Sequence, residues 1–195
     1  MEKQKMTTNK MVVGALLTAL VFLLQFMGAS IRFVTFSISL VLIPIVIGAV
    51  TCGKGIGAWL GLVFGVAVLA SGDAAFFMQF NAIGTVITVL LKGIACGFVA
   101  GLVYDVLVKI FKNSYLAAIT AAIVCPVVNT GIFLLGCSVF LMDAVAHLSG
   151  GGVNLGKFMI FGLVGANFLF EMAVNIIFAP AIAHIIKIVS KNKEA

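Results

Sequence analysis

Charged residues punctuate this chain at nearly the interval of one bilayer crossing. Lys10 and Arg32 enclose the 21 uncharged residues 11–31, and Arg32 and Lys54 enclose another 21, residues 33–53. Lys54 and Asp73 are separated by 18. A helix that crosses the hydrocarbon core needs about 20 mostly apolar residues. The later part of the chain is similar. Residues from Ala82 to Val108 are apolar apart from Lys92 and Asp105, residues 113–142 carry no charge, and the stretch from Phe158 to Ile186 is interrupted by Glu171 and His184. Composition agrees: 63% of residues are hydrophobic and 9% charged, against about 25% charged in an average soluble domain. So few charges do not cover a soluble globule. An ordinary cytosolic enzyme, a disordered chain and a nucleic-acid-binding domain are excluded, and the bilayer becomes the main solvent.

The expected fold is all-α: an integral membrane bundle of six transmembrane helices in a single domain covering residues 1–195. The spans are expected at about 11–29, 36–52, 56–71, 82–107, 115–140 and 158–187. Lipid offers the backbone no partner, so each amide must be satisfied within its own segment. Long unbroken apolar runs do not suit a barrel of alternating strands. Positive charge sets the orientation. With the N-terminus cytoplasmic, the inside carries Lys3, Lys5, Lys10, Lys54, Lys109, Lys112, Lys187, Lys191 and Lys193, and the outside carries Arg32 and Lys157. Both termini are then cytoplasmic, which agrees with an even number of spans. The external segments are 30–35, 72–81 and 141–157. The first span lacks a cleavage site of signal-peptide type, and the four cysteines show neither CxxC nor metal-ligand spacing. No metal or cofactor is expected.

Small residues indicate how the spans pack. Gly57, Gly61 and Gly65 repeat every four residues on the third span, and Gly93, Gly97 and Gly101 do so on the fourth. Such spacing lines one helix face and lets two backbones approach. On the first span Ala15 and Ala19 have the same spacing. That face suits either packing within the bundle or a groove for a helix of another protein.

Polar side chains at membrane depth face the bundle interior and usually mark function. Asn167, Glu171 and Asn175 fall at i, i+4 and i+8 on the sixth span, one face of one helix. Lys92 lies on the fourth span, and Asn129 beside Thr130 on the fifth. With a rise of about 1.5 Å per residue, Lys92, Asn129, Asn167 and Glu171 lie roughly 13–20 Å from the outer end. Two readings fit. A Lys92–Glu171 ion pair would lock two helices together. A pocket open to the outside would use Lys92 for an anionic or carbonyl group, Asn129, Asn167 and Asn175 for polar atoms, and Glu171 for a hydroxyl or amide. Arg32 suits either closure over an anion or a solvated interface. Asp73, Gln79, Asp143 and His147 are expected to be solvated loop residues. The run Gly48–Gly55 matches GxxxxGK but puts Gly55 where a phosphate loop needs Ser or Thr. No pair of carboxylates suited to hydrolysis is found, and His147 and His184 fall on opposite sides, so an enzyme is not expected.

These segments resemble a family. The AxxxA spacing at Ala15 and Ala19, the run L-V-L-I-P-I-V-I-G-A-V at 40–50 with G-K-G-I-G-A-W-L-G-L-V-F-G at 53–65, L-L-K-G-I-A-C-G-F-V-A-G at 90–101 and P-V-V-N-T-G at 126–131 resemble the substrate-binding S components of energy-coupling factor (ECF) vitamin transporters. The resemblance covers nearly the whole chain. It implies a plasma-membrane protein that binds a vitamin tightly near the external face and hydrolyses no ATP. It also implies docking through Ala15 and Ala19 onto a membrane coupling subunit that carries two cytoplasmic ATPases, and toppling of the whole subunit during transport. Lys92, Arg32 and several amides suit a flexible hydroxylated carboxylate, so pantothenate is the first expectation and riboflavin the second. The alternative is a self-sufficient channel or secondary transporter, which broken helices and an inverted repeat would favour. Pro126 and Pro180 are the candidate breaks.

Overall fold

A computed structural model describes residues 8–30, 32–33, 36–37, 40–150 and 154–191, with the backbone alone at 30, 32, 33, 36, 37, 166, 167 and 181–191. The chain is almost entirely helical. Helix α1 spans Thr8–Ser30, and a two-residue antiparallel pairing follows between β1 (Arg32–Phe33) and β2 (Phe36–Ser37). Then come α2 (Leu42–Cys52), α3 (Lys54–Ala70), α4 (Ala75–Phe80), α5 (Ala82–Phe111), α6 (Ser114–Phe140) and α7 (Met142–Ser149). The last part holds a single turn α8 (Leu155–Lys157), a π-helical stretch Phe158–Leu163, and α9 (Gly165–Lys191). Among the described residues, four segments are long and apolar enough to cross a membrane: Thr8–Ala29, Ala82–Phe111, Ser114–Phe140 and Leu155–Pro180. Helices α2 and α3 are shorter and equally apolar.

Two expectations about the elements are corrected. The second helix starts at Leu42, not 36, because Pro44 lies in its first turn. A helix begun at 36 would put Pro44 in its interior, where the ring removes a donor and clashes with the preceding turn. In the first turn the missing N–H has no intrahelical partner to lose. The segments expected as external loops 72–81 and 141–157 contain α4 and α7. These short helices close over a small apolar cluster of Cys137, Leu141, Ala144, Val145 and Met159, with Phe76, Phe77 and Phe133 against it.

The tightest packing joins α3 to α5. A Cβ placed on Gly57 or Gly61 would lie closer than 3.0 Å to the carbonyl oxygen of Gly97 or Gly93, and a Cβ on either partner would meet Gly57 or Gly61 in the same way. Gly65 faces the Val89 carbonyl, and Gly101 faces the backbone of Lys54. This register is that of two antiparallel helices in backbone contact, as the glycine spacing on both predicts. Helix α2 is packed into the bundle, with Leu42, Ile45, Val46 and Ala49 fully buried.

The long helices are joined by defined caps. The Asn81 side chain accepts from Gly84 N at 2.8 Å to start α5, and its Nδ2 donates to the Phe140 carbonyl at 3.2 Å, tying the start of α5 to the end of α6. At the opposite end Lys112 ends α5 in the left-handed conformation (φ 51°). Asn113 then caps α6 through Tyr115 N and Leu116 N.

Gly61→Ala and Gly93→Ala should each lower the unfolding midpoint in detergent by an amount equivalent to about 1–3 kcal/mol, the usual cost of forcing an extra group into a filled contact. Gly131→Ala, where no atom lies within 4 Å of the new Cβ, should leave the midpoint unchanged or raise it.

Candidate substrate-binding site

A cavity lies at the end of the bundle where α1, α3 and α6 finish and α5 and α9 begin. Its lining is drawn from each of these helices and from the turns between them. Helix α5 presents Thr85, Thr88, Val89 and Lys92, which fall on one face at helical spacing. Phe64 and Val68 of α3 line the wall one turn apart, and Asn129, Thr130 and Phe133 of α6 line another part. Glu171 enters from α9, Leu163 and Val164 from the segment before it, and Gln25 from α1. Asp73 and Ala74, with Phe77 of α4 and Leu141, complete the enclosure. The volume is about 160 Å³.

Lys92, Asn129 and Glu171, read from three separate spans, therefore meet in one cavity. The Lys92 ammonium lies over two aromatic rings, 5.5 Å from the Phe64 centroid and 5.1 Å from that of Phe133. Ring faces attract a cation and hold it in place without neutralising it. Phe77 meets Phe133 edge-on at 5.7 Å and 87°, so α4 supports the ring that supports the lysine. Lys92 is also within electrostatic reach of Glu171 and Asp73.

Asn129 and Glu171 are both buried. The Oδ1 of Asn129 has no hydrogen-bond partner among the described residues. Asn175 lies one turn beyond Glu171 and is fully buried, and its Nδ2 donates to the Glu171 carbonyl at 2.8 Å. It is outside the cavity lining and holds the α9 backbone beneath Glu171. The side chains of Arg32 and Asn167 lie outside the described residues.

Residues not read as site residues also contribute. Asp73, expected to be a solvated loop residue, lines the cavity and accepts from Gln25 Nε2 at 2.5 Å. The same nitrogen lies 3.4 Å from Ser71 Oγ. Gln25 is thus buried at the end of α1 and ties that helix to the turn after α3. Its only advance signal was a polar residue at the end of an apolar span. Phe64 and Phe133 were hidden among 17 phenylalanines. His147, on α7, contacts Phe80 and Phe76, with centroids 5.4 and 6.1 Å apart.

A separate shallow groove runs along α1, lined by Ala15, Thr18, Ala19, Phe22, Leu23, Phe26 and Met27. Ala15 and Ala19 are exposed on this face. Beside it, Trp59 of α3 donates its indole N–H to Thr18 Oγ1 at 3.2 Å.

Among families of known proteins, the one described as the ECF transporter substrate-specific component matches residues 9–183. No curated protein and no solved structure matches the chain.

Gln25→Leu should remove the tie between α1 and the 71–73 turn while keeping the apolar part of the side chain. The expected loss is about 1–3 kcal/mol in unfolding titrations, the cost of leaving a buried polar group without its partner. Gln25→Leu combined with Asp73→Leu should cost less than the sum of the two single changes.

Proposed function

Because the chain belongs to the substrate-specific components of ECF transporters, we propose that it is the high-affinity binding subunit of an ATP-driven micronutrient importer in the plasma membrane. The meeting of Lys92, Asn129 and Glu171 in one cavity carries this reading. A Lys92–Glu171 lock between two helices would not account for the buried Asn129 Oδ1 left without a partner among the described residues in the same hollow, and each such group is costly at membrane depth. The proposed ligand contacts are Lys92, Asn129 and Glu171. Asn175 supports Glu171, while Asn167 and Arg32 complete the set from the start of α9 and from the β1–β2 segment.

The proposed topology has six crossings with both termini cytoplasmic. Lys10, Lys54, Lys109 and Lys112 lie at the ends of α1, α3 and α5 remote from the cavity. The bias of basic residues towards the cytoplasm then faces the cavity outward. Helices α2 and α3 complete the six. Eleven residues give α2 a length of about 16 Å, short of a full crossing, and its burial within the bundle spares it from contact with lipid.

Ala15 and Ala19 are proposed as contacts for the membrane coupling subunit, which carries the two cytoplasmic ATPases. A small-residue stripe left exposed on an apolar helix lets a second helix approach closely. Energy for transport then comes from the partners, and this chain contributes recognition.

Pantothenate and riboflavin are the substrates that the sequence puts forward. The cavity volume is about 160 Å³. A space of that size favours the smaller compound.

Ala15→Trp and Ala19→Trp should abolish uptake in cells that express the whole transporter, with ligand binding by the purified subunit unchanged. Lys92→Ala should weaken binding itself by roughly tenfold or more, the effect of losing 1.4 kcal/mol. Equal loss of binding in both groups would contradict this division. Uptake by the chain without its coupling module would favour a self-sufficient channel or secondary transporter.

A further inference from the structure

Asn81, Asn113, Asn154 and Asn175 all use their amides within the fold. Asn81 accepts from Gly84 N and donates to the Phe140 carbonyl. Asn113 and Asn154 cap helices through Tyr115 N, Leu116 N and Lys157 N, and Asn175 donates to the Glu171 carbonyl. Asn129 differs. It is 5% exposed and lines the cavity, yet neither its Oδ1 nor its Nδ2 has a hydrogen-bond partner among the described residues. A local bond is within its reach. Thr85, Thr88 and Asn175 each donate to the carbonyl four residues earlier, at 2.7, 2.7 and 2.8 Å. The Cys125 carbonyl stands in that relation to Asn129, and the bond is not made. A buried amide left in that state is destabilising, and a group that completes its bonds would offset the loss.

The two amide atoms define what would complete them. They lie side by side in one plane, one accepting and one donating. Which of the two faces the hollow is interchangeable, because the terminal torsion of asparagine is broad and no bond holds the amide in either orientation. The complementary partner is an N–H beside a lone pair in the same plane. Such an edge meets an asparagine amide through two parallel hydrogen bonds, as the edge of adenine does. A carboxylate ion has no proton to give, and an alcohol places donor and acceptor on one atom. Phe133, one turn further along the same face of α6, gives the cavity an apolar surface beside Asn129, which suits a flat group. The edge is uncharged, so recognition at Asn129 does not depend on the balance of ionised groups at the other walls.

Resting on the reading of this cavity as the nutrient site, we propose that Asn129 selects the substrate and that the substrate carries a neutral, planar donor–acceptor edge: a carboxamide, a lactam or imide, or an aminopyrimidine. Asn129 pairs with this edge through both amide atoms. Of the compounds put forward above, riboflavin carries such an edge on its pyrimidine ring. Pantothenate does not, because its secondary amide turns N–H and C=O to opposite sides. Small carboxamides and aminopyrimidines combine the edge with the smaller size that the cavity favours.

Nicotinamide, thiamine and riboflavin carry the edge, and pyridoxine and pantothenate lack it. Binding of all five to the detergent-purified full chain is measured by calorimetry, together with mass spectrometry of any small molecule released on denaturation. The tightest ligand, whether added or released, should carry the edge. Asn129→Leu keeps the branching of the side chain and should weaken that ligand by roughly tenfold or more. Methyl groups that block the edge, as in N,N-dimethylnicotinamide and 3-methylriboflavin, should cost the wild type a similar factor wherever the parent binds and cost the variant little. The methylated compounds test the wild type even if the variant does not fold. A tightest ligand without the edge, undiminished binding by Asn129→Leu, or no cost of methylation in the wild type would overturn the proposal while leaving the nutrient site standing. No binding by any probe together with no released molecule would overturn the nutrient-site reading, and this proposal with it.

Discussion

The backbone contact between α3 and α5 is the constraint on which the other features depend. Gly57 against Gly97 and Gly61 against Gly93 leave no space for a Cβ. This contact fixes the register of the two helices along their length. Phe64 and Val68 continue α3 beyond Gly61, while Val89, Thr88 and Thr85 lie on α5 before Gly93. The same register therefore sets the cavity wall across from Lys92. In a bilayer, helix association gains little from removing apolar surface from its surroundings, because lipid is as apolar as leucine, and close packing must do much of the work. Glycine on both helices supplies it.

Beyond the glycine contact, polar groups line the cavity. The lysine is held between Phe64 and Phe133, an arrangement that attracts the cation without matching its charge. Glu171 is supported from below through its carbonyl by Asn175. Gln25 ties the end of α1 to Asp73, so the helix bearing the exposed Ala15–Ala19 stripe also contributes a wall of the cavity. The cavity wall and the small-residue groove thus share one helix, with the cavity at one end of it and the groove along its exposed face.

Much of this was legible in the sequence, and the remainder was not for physical reasons. Charge spacing marks where helices end, and the glycine repeats mark which helices meet. Polar residues at similar depth mark a shared level, which is why Lys92, Asn129 and Glu171 were found. Period and depth do not say which way a residue faces once neighbours have been chosen. Asn175 shares the helical face of Glu171 yet lies beneath the cavity, and Asp73 turns in from a segment that looked solvated. The start of α2 was misplaced because apolar character alone did not register that Pro44 belongs in a first turn. The rings of Phe64 and Phe133 were invisible because phenylalanine is common throughout an apolar chain and its place within a span carries no signal.

The central claim is that the hollow between α3, α5, α6 and α9 holds the transported nutrient. Native mass spectrometry of the wild type and of Thr130→Phe tests it most directly. The substitution places a ring in the cavity from a partly exposed lining position and changes no charge. A small molecule bound to the wild type and missing from a folded Thr130→Phe variant is the predicted result. Retention of the same molecule by the filled variant, with undiminished occupancy, would place the ligand elsewhere and contradict the account.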